Sequence, residues 1–267
     1  ALAVSWGSAM SHERMSVSGA ELDDLDLAAL DAFVTARAPA LRATLQLEEV
    51  ALRLGLVLRS APRVTPTPVG LLLFGKQPQL VAPDWGIAAV SIDGTTLSDP
   101  VRYRLDLEGN LASLLAQALA FVRGKTEETT PGGRGSTIAT QSVDEYPEAA
   151  VREAVVNALV HRDLRRAGRI AIRRFHDRLE VWSPGGLPEG LSDVSELLRE
   201  GGVSHPRNPI LAAFARSLGI GEQLGRGLAV LARTGGSYAR RVEVHSSPRD
   251  VLVVIPSHWQ RSPVGAC

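Results

Sequence analysis

The stretch from Pro147 to Trp182 constrains the fold more than any other part of the chain. Pro147 stands where a first-turn proline would, and the residues to His161 read as a helix. Glu153, Asn157 and His161 follow at i, i+4 and i+8, so they form one stripe that drifts by only about 40° per step. Val156 and Val160 border it on one edge, Ala150 and Ala154 on the other, and Val151, Val155 and Leu159 occupy the far face. A stripe so narrow fits polar groups facing a pocket; an ordinary exposed edge, or buried hydrogen-bonded polar residues, fits the pattern equally. Two strands follow, Arg169–Phe175 and Arg178–Trp182, joined at His176-Asp177 in a hairpin-like turn. Helix and hairpin in direct succession call for an α+β fold.

The flanking segments fill in that class. Residues 1–20 read as a tail or the remnant of an upstream domain. Leu22, Leu25, Leu27, Leu30 and Phe33 predict an amphipathic helix from Glu21, and a second runs from about Leu45 to Leu56. These lead through a proline-rich turn into Val69–Phe74, an order that suits a small winged-helix-like unit or a helical cap on the next domain. Residues 86–93 read as a buried strand, Glu108–Arg123 as a strong helix, Gly124–Ser136 as a loop and Ser136–Ser142 as a strand. Short helices are expected near Val194–Arg199, Pro209–Leu218 and Gln223–Arg233. Strands Arg241–Ser246 and Val251–Pro256 close the pattern.

Composition excludes several classes. Lys plus Arg and Asp plus Glu number 29 each, so no global basic field draws in nucleic acid. The single cysteine, Cys267, rules out a disulfide within the chain and a cysteine zinc cage, and suits a reducing compartment. No apolar run approaches the roughly 20 residues that span a bilayer. The first ten residues lack the layout of a signal peptide. A soluble cytoplasmic protein is the expectation.

Gly70-Leu-Leu-Leu-Phe-Gly75-Lys76-Gln77 nearly spells a phosphate-binding loop, but Gln77 replaces the magnesium-binding hydroxyl and four large apolar residues demand burial. It reads as a buried segment with a polar end, and a helicase motor falls with it. Two glycine clusters remain: Ser183-Pro184-Gly185-Gly186 after a strand, and Gly225-Arg226-Gly227 opening a helix. Glycine admits a close ligand and a helix start favours anions.

Several blocks together resemble a bacterial family: residues 146–163 (YPEAAVREAVVNALVHRD), 177–190 (DRLEVWSPGGLPEG), 204–209 (SHPRNP) and 218–227 (LGIGEQLGRG), with 22–27, 70–78 and 91–94 upstream. It is the family of RecG-related transcriptional regulators and ATP-binding proteins, and the resemblance spans about residues 20–256. Members usually begin with a Schlafen-type AlbA-like domain thought to bind nucleic acid, which is lacking here or reduced to residues 1–20. Their C-terminal part resembles the Bergerat-fold ATPases such as gyrase, MutL and histidine kinases (the GHKL group).

The resemblance implies residues 21–145 as a helical and α/β middle region. It implies 146–257 as a degenerate Bergerat-type α/β sandwich and 258–267 as a tail. It implies Glu153 as the activator of water, Asn157 as the magnesium ligand, and ATP with magnesium as cofactors. Ser183, Gly185 and Gly186 take the place of one glycine box, Gly225, Arg226 and Gly227 that of the last, and Leu187–Gln223 would form the lid. His161, Arg207 and Arg226 are candidate phosphate partners. Ser183 stands where an acid normally reads the adenine amino group, a loss of about 1.5–3 kcal/mol for such a charge-assisted hydrogen bond. The leading expectation is a DNA-associated regulator that binds Mg-ATP and hydrolyses it slowly. The alternative is a non-enzymatic DNA-binding or dimerisation module in which Arg42, Arg53, Arg59, Arg63 and Lys76 present a basic face, diluted by Glu48 and Glu49.

Overall fold

The computed structural model describes residues 12–60, 62–124, 145–187, 206–220 and 242–257. The chain opens with three short helices, α1 (Leu27–Arg37), α2 (Pro39–Thr44) and α3 (Leu47–Leu54). The helix expected from Glu21 starts late. Leu22–Asp24 is only a 3-10 turn, because the segment beyond it pairs with distant backbone: Asp26 N–H donates to Phe74 O at 2.7 Å and Lys76 N–H to Asp24 O at 2.8 Å. Asp26 then caps α1 by accepting from Ala29 N–H. Gly55, at φ 74°, ends α3 and turns the chain into the antiparallel hairpin of β1 (Val57–Ser60) and β2 (Arg63–Pro66).

The near-P-loop is helix α4 (Pro68–Phe74), every residue of which is buried. A Cβ at Gly70 would overlap Leu56 O, so glycine lets α4 sit directly against the bend that precedes β1. Lys76 Nζ donates to Asp23 O at 2.7 Å.

A six-stranded sheet forms the centre, built from β3 (Ile87–Ile92), β4 (Val101–Leu107), β5 (Ile170–Arg174), β6 (Arg178–Pro184), β7 (Glu243–Ser246) and β8 (Asp250–Pro256). Its order is β4-β3-β5-β6-β8-β7, with β3 and β5 parallel and every other neighbour antiparallel. Ile87, Ala89, Ile170, Ile172, Leu179, Val181, Val253 and Ile255 share one buried face. Helices α5 (Leu111–Arg123) and α6 (Glu148–His161) pack against the sheet and each other. Helix α7 (Pro209–Ser217) reaches back to the first helices, with Phe214 against Phe33 and Phe33 against Phe74.

The architecture is therefore α+β. Strand β4, in which Val101, Tyr103, Leu105 and Leu107 alternate with Arg102, Arg104 and Asp106, and the β1–β2 hairpin are additional to the expected elements. The strand expected at Ser136–Ser142 and the helices near Val194–Arg199 and Gln223–Arg233 lie outside the described residues. Among those described, no helix is long and apolar enough to cross a membrane.

Candidate functional site

Helix α6 is exposed at its start, at Glu148 and Ala149, and largely buried beyond. Along the predicted stripe Glu153 is buried while Asn157 and His161 are half-buried, as is Arg152 off the stripe. Glu153, 9% exposed, accepts a 2.7 Å hydrogen bond from Asn157 Nδ2. That bond orients the amide so that its oxygen is the end turned away from the carboxylate. One turn further, roughly 6 Å along the axis, lies His161. Burial and the nearby positive charges of Arg207 and Arg216 pull its imidazole down to about 4, so it is neutral at pH 7.

The helix exit meets the first glycine cluster directly. Asp163 N–H donates to Pro184 O at 2.9 Å, and Asp163 is 4% exposed. Its carboxylate accepts from Arg165 Nε and Nη2 at 2.9 Å each, and lies 3.6 Å from Arg207 Nη1. These bonds hold it down to about 2. Arg207 Nη2 donates to Gly186 O at 2.7 Å. Two further residues fix the frame: Asn208 Nδ2 donates to Val160 O and Arg162 O at 2.9 Å each, capping α6. The buried Arg162 reaches Asp84 O at 2.8 Å.

His161, Ser183, Gly185, Gly186 and Arg207 thus gather around the end of α6 and β6, with Glu153 and Asn157 further along the same stripe. Gly225, Arg226 and Gly227 lie outside the described residues. Asp163, at the hub, was missed. Its signal was an acid just past a helix end, followed by Arg165 and Arg166.

The glycines behave differently from the ligand cradle that the resemblance implies. A Cβ on Gly185, at φ 101°, would come within 2.7 Å of Asp163 Cβ, and one on Gly186 would overlap Ser247 O. Gly185 N–H already donates to Arg249 O at 2.7 Å. In this arrangement both glycines serve close packing of the chain on itself. Ser183 is buried on β6 opposite Val251 and offers a hydroxyl in place of a carboxylate.

Residues 168–255 match the family model described as "Putative ATP-dependent DNA helicase recG C-terminal". The C-terminal part of the chain is thus similar to a RecG-related C-terminal ATPase domain. The matched span begins just before β5 and ends within β8, so helix α6, with its Glu153–Asn157 pair, immediately precedes it. Among solved structures, the DIP2311 protein from Corynebacterium diphtheriae is similar over 94% of this chain at 25% identity, with a TM-score of 0.62. The chain spans 40% of that protein's length. No curated protein matches it.

Proposed function

We propose that the RecG-type domain binds a magnesium–nucleotide along the α6 stripe and acts as a slow nucleotide switch. The observation that carries this reading is the Glu153–Asn157 pair, a buried carboxylate bonded to a half-buried amide on a helix whose exit meets a glycine turn. The pair suits its ligand chemically. Asn157 keeps its amide oxygen for a hard cation while its nitrogen is held by Glu153. Among the described residues no group of three His, Cys, Asp or Glu could hold a metal, so the cation would depend on phosphate oxygens as well. Bound magnesium would supply charge neutralisation for the phosphates. Neutral His161 can donate one N–H to a phosphate oxygen, and Glu153, if ionised, can accept a proton from water.

Regulation through DNA is the finer form of this proposal. The five cations considered for DNA phosphate contact are all engaged within the chain: Arg42 with Asp31, Arg53 and Arg59 with Glu49, Arg63 with Glu21, and Lys76 with Asp23 O. The acids beside them dilute the net positive charge of the patch, and that dilution, rather than the strength of the exposed pairs, favours the nucleotide reading as the main function. Gel shifts at two salt concentrations test the patch, whose binding should weaken steeply with salt.

A fluorescent-ATP titration with and without magnesium tests the site. Saturable, magnesium-enhanced binding is expected, and no binding at millimolar nucleotide would remove the proposal. Glu153→Ala should abolish phosphate release while nearly preserving binding, and Asn157→Ala should remove the magnesium-dependent part of the affinity. Were both residues structural, each change would instead cost about 1–3 kcal/mol of stability and leave nucleotide behaviour otherwise unchanged.

A further inference from the structure

Strand β4 is the outermost strand at its end of the sheet among the described residues. An edge strand offers unpaired backbone N–H and C=O groups, a template for another strand. This one is seven residues long, with one face open, where the side chains of Arg104 and Asp106 are 63% and 51% exposed. The other face is partly covered: Val101 is 58% and Leu105 46% exposed, while Tyr103 packs on Phe121 and Leu107 is buried. Charges on such an edge ordinarily repel strangers. Here their order does more than repel.

We propose that β4 is the seam of a two-fold dimer, pairing antiparallel with β4 of a second copy about Leu105. Side-chain alternation permits only registers that keep Tyr103, Leu105 and Leu107 on one shared face, and hence Arg102, Arg104, Asp106 and Glu108 on the other. Centring the pair on Tyr103 sets Arg102 against Arg104, and centring it on Arg104 sets that residue against itself. Centring on Asp106 opposes two aspartates, and centring on Leu107 opposes Asp106 with Glu108. Only the Leu105 register opposes unlike charges throughout, Arg102 with Glu108 and Arg104 with Asp106, each twice by symmetry. The same register lays Leu105 on Leu105 and Tyr103 on Leu107. Within one chain Arg104 already meets Asp106 at 3.4 Å and Glu108 meets Arg169 at 2.7 Å. The exposed Arg104–Asp106 pair contributes little and can re-pair across a dyad. The half-buried Arg169, which also lies 3.8 Å from Asp106, can keep Glu108 while that carboxylate meets Arg102 of the second copy. The dimer would join two six-stranded sheets into one.

Sedimentation equilibrium on the whole chain tests this, with charge swaps at exposed positions that leave the fold intact. The native chain should dimerise in the micromolar range. Arg104→Asp and Asp106→Arg should each weaken the dimer by about tenfold or more, because each brings like charges together twice. Mixing the two variants should restore association, since a heterodimer recovers every unlike pair. Leu105→Cys in a Cys267→Ser background should form a cross-link between copies under mild oxidation, and Arg104→Cys in that background should not. A native chain that stays monomeric, single swaps that dimerise as the native chain does, or a mixture that stays monomeric would each overturn the proposal.

Discussion

Asp163 and His161 sit within one hub and respond to acid in separate windows. Asp163 is held at about 2 chiefly by its hydrogen bond from Arg165, against an ordinary 3.8. A carboxylate depressed in the folded state adds stability above its ordinary value and loses it as pH falls through the folded one. The loss, about 2 kcal/mol, should therefore fall between about pH 4 and pH 2. His161 titrates at about 4 in the folded state and 6.5 otherwise. Below 6.5 the unfolded chain takes up a proton that the folded chain refuses, so stability declines from pH 6.5 to about 4. Unfolding free energies measured by denaturant across this range should show both declines. Asp163→Asn should lack the lower one, and its deficit relative to the native chain should shrink as acid is added. An equal deficit at every pH would show that Asp163 stays protonated or unpaired. In the sequence, Glu153, Asn157 and His161 were legible because they share a helical stripe. Asp163 left a local mark in its neighbours Arg165 and Arg166, but its place at the hub rests on Arg207 and Pro184, some 20 to 40 residues away, which only the fold brings near.

Whole elements depend on side chains from far along the chain. Helix α7 starts with Pro209, and its open N–H groups at Ile210 and Leu211 donate to the two oxygens of Glu13 at 3.0 Å each. Glu13 is fully buried. A carboxylate at a helix start satisfies orphan donors and complements the helix dipole. Glu13→Ala should cost about 1–2 kcal/mol and speed amide exchange selectively at Ile210 and Leu211. Uniform acceleration across the molecule would instead show that α7 opens only with global unfolding. Residues 1–20 were read as a tail, yet the part from His12 onward is built into the structure through this cap and through Ala20 in the core. No local pattern marks Glu13, since the helix it caps lies almost 200 residues away. Strand β4, by contrast, is legible in the sequence: Val101, Tyr103, Leu105 and Leu107 alternate with Arg102, Arg104 and Asp106, the period of a strand with one partly covered face.

At the scale of the whole molecule, the core is one cluster running from Ala20 to Ile255. The parallel pairing of β3 with β5 joins residues before 124 to residues after 145 in the same sheet, and α5 packs on α6. A fragment of residues 145–257 would lose β3 from one edge of β5 and the cover that α5 gives α6. Residues 12–257 should unfold in a single cooperative transition by fluorescence and circular dichroism together, whereas 145–257 should show no cooperative transition. A cooperative transition in the fragment would establish the C-terminal part as self-sufficient. The sequence alone determined the helices of strong period, the β5–β6 hairpin, the burial of the Gly70–Phe74 segment and the polar stripe on α6. Each is a consequence of neighbours within a few turns, where side-chain spacing dictates which face meets water. Tertiary structure decided where the first helix begins, which residues cap α6 and α7, and that Gly185 and Gly186 pack on the chain itself. Those outcomes depend on backbone groups and charges that approach only after the sheet has assembled, and no local spacing encodes them.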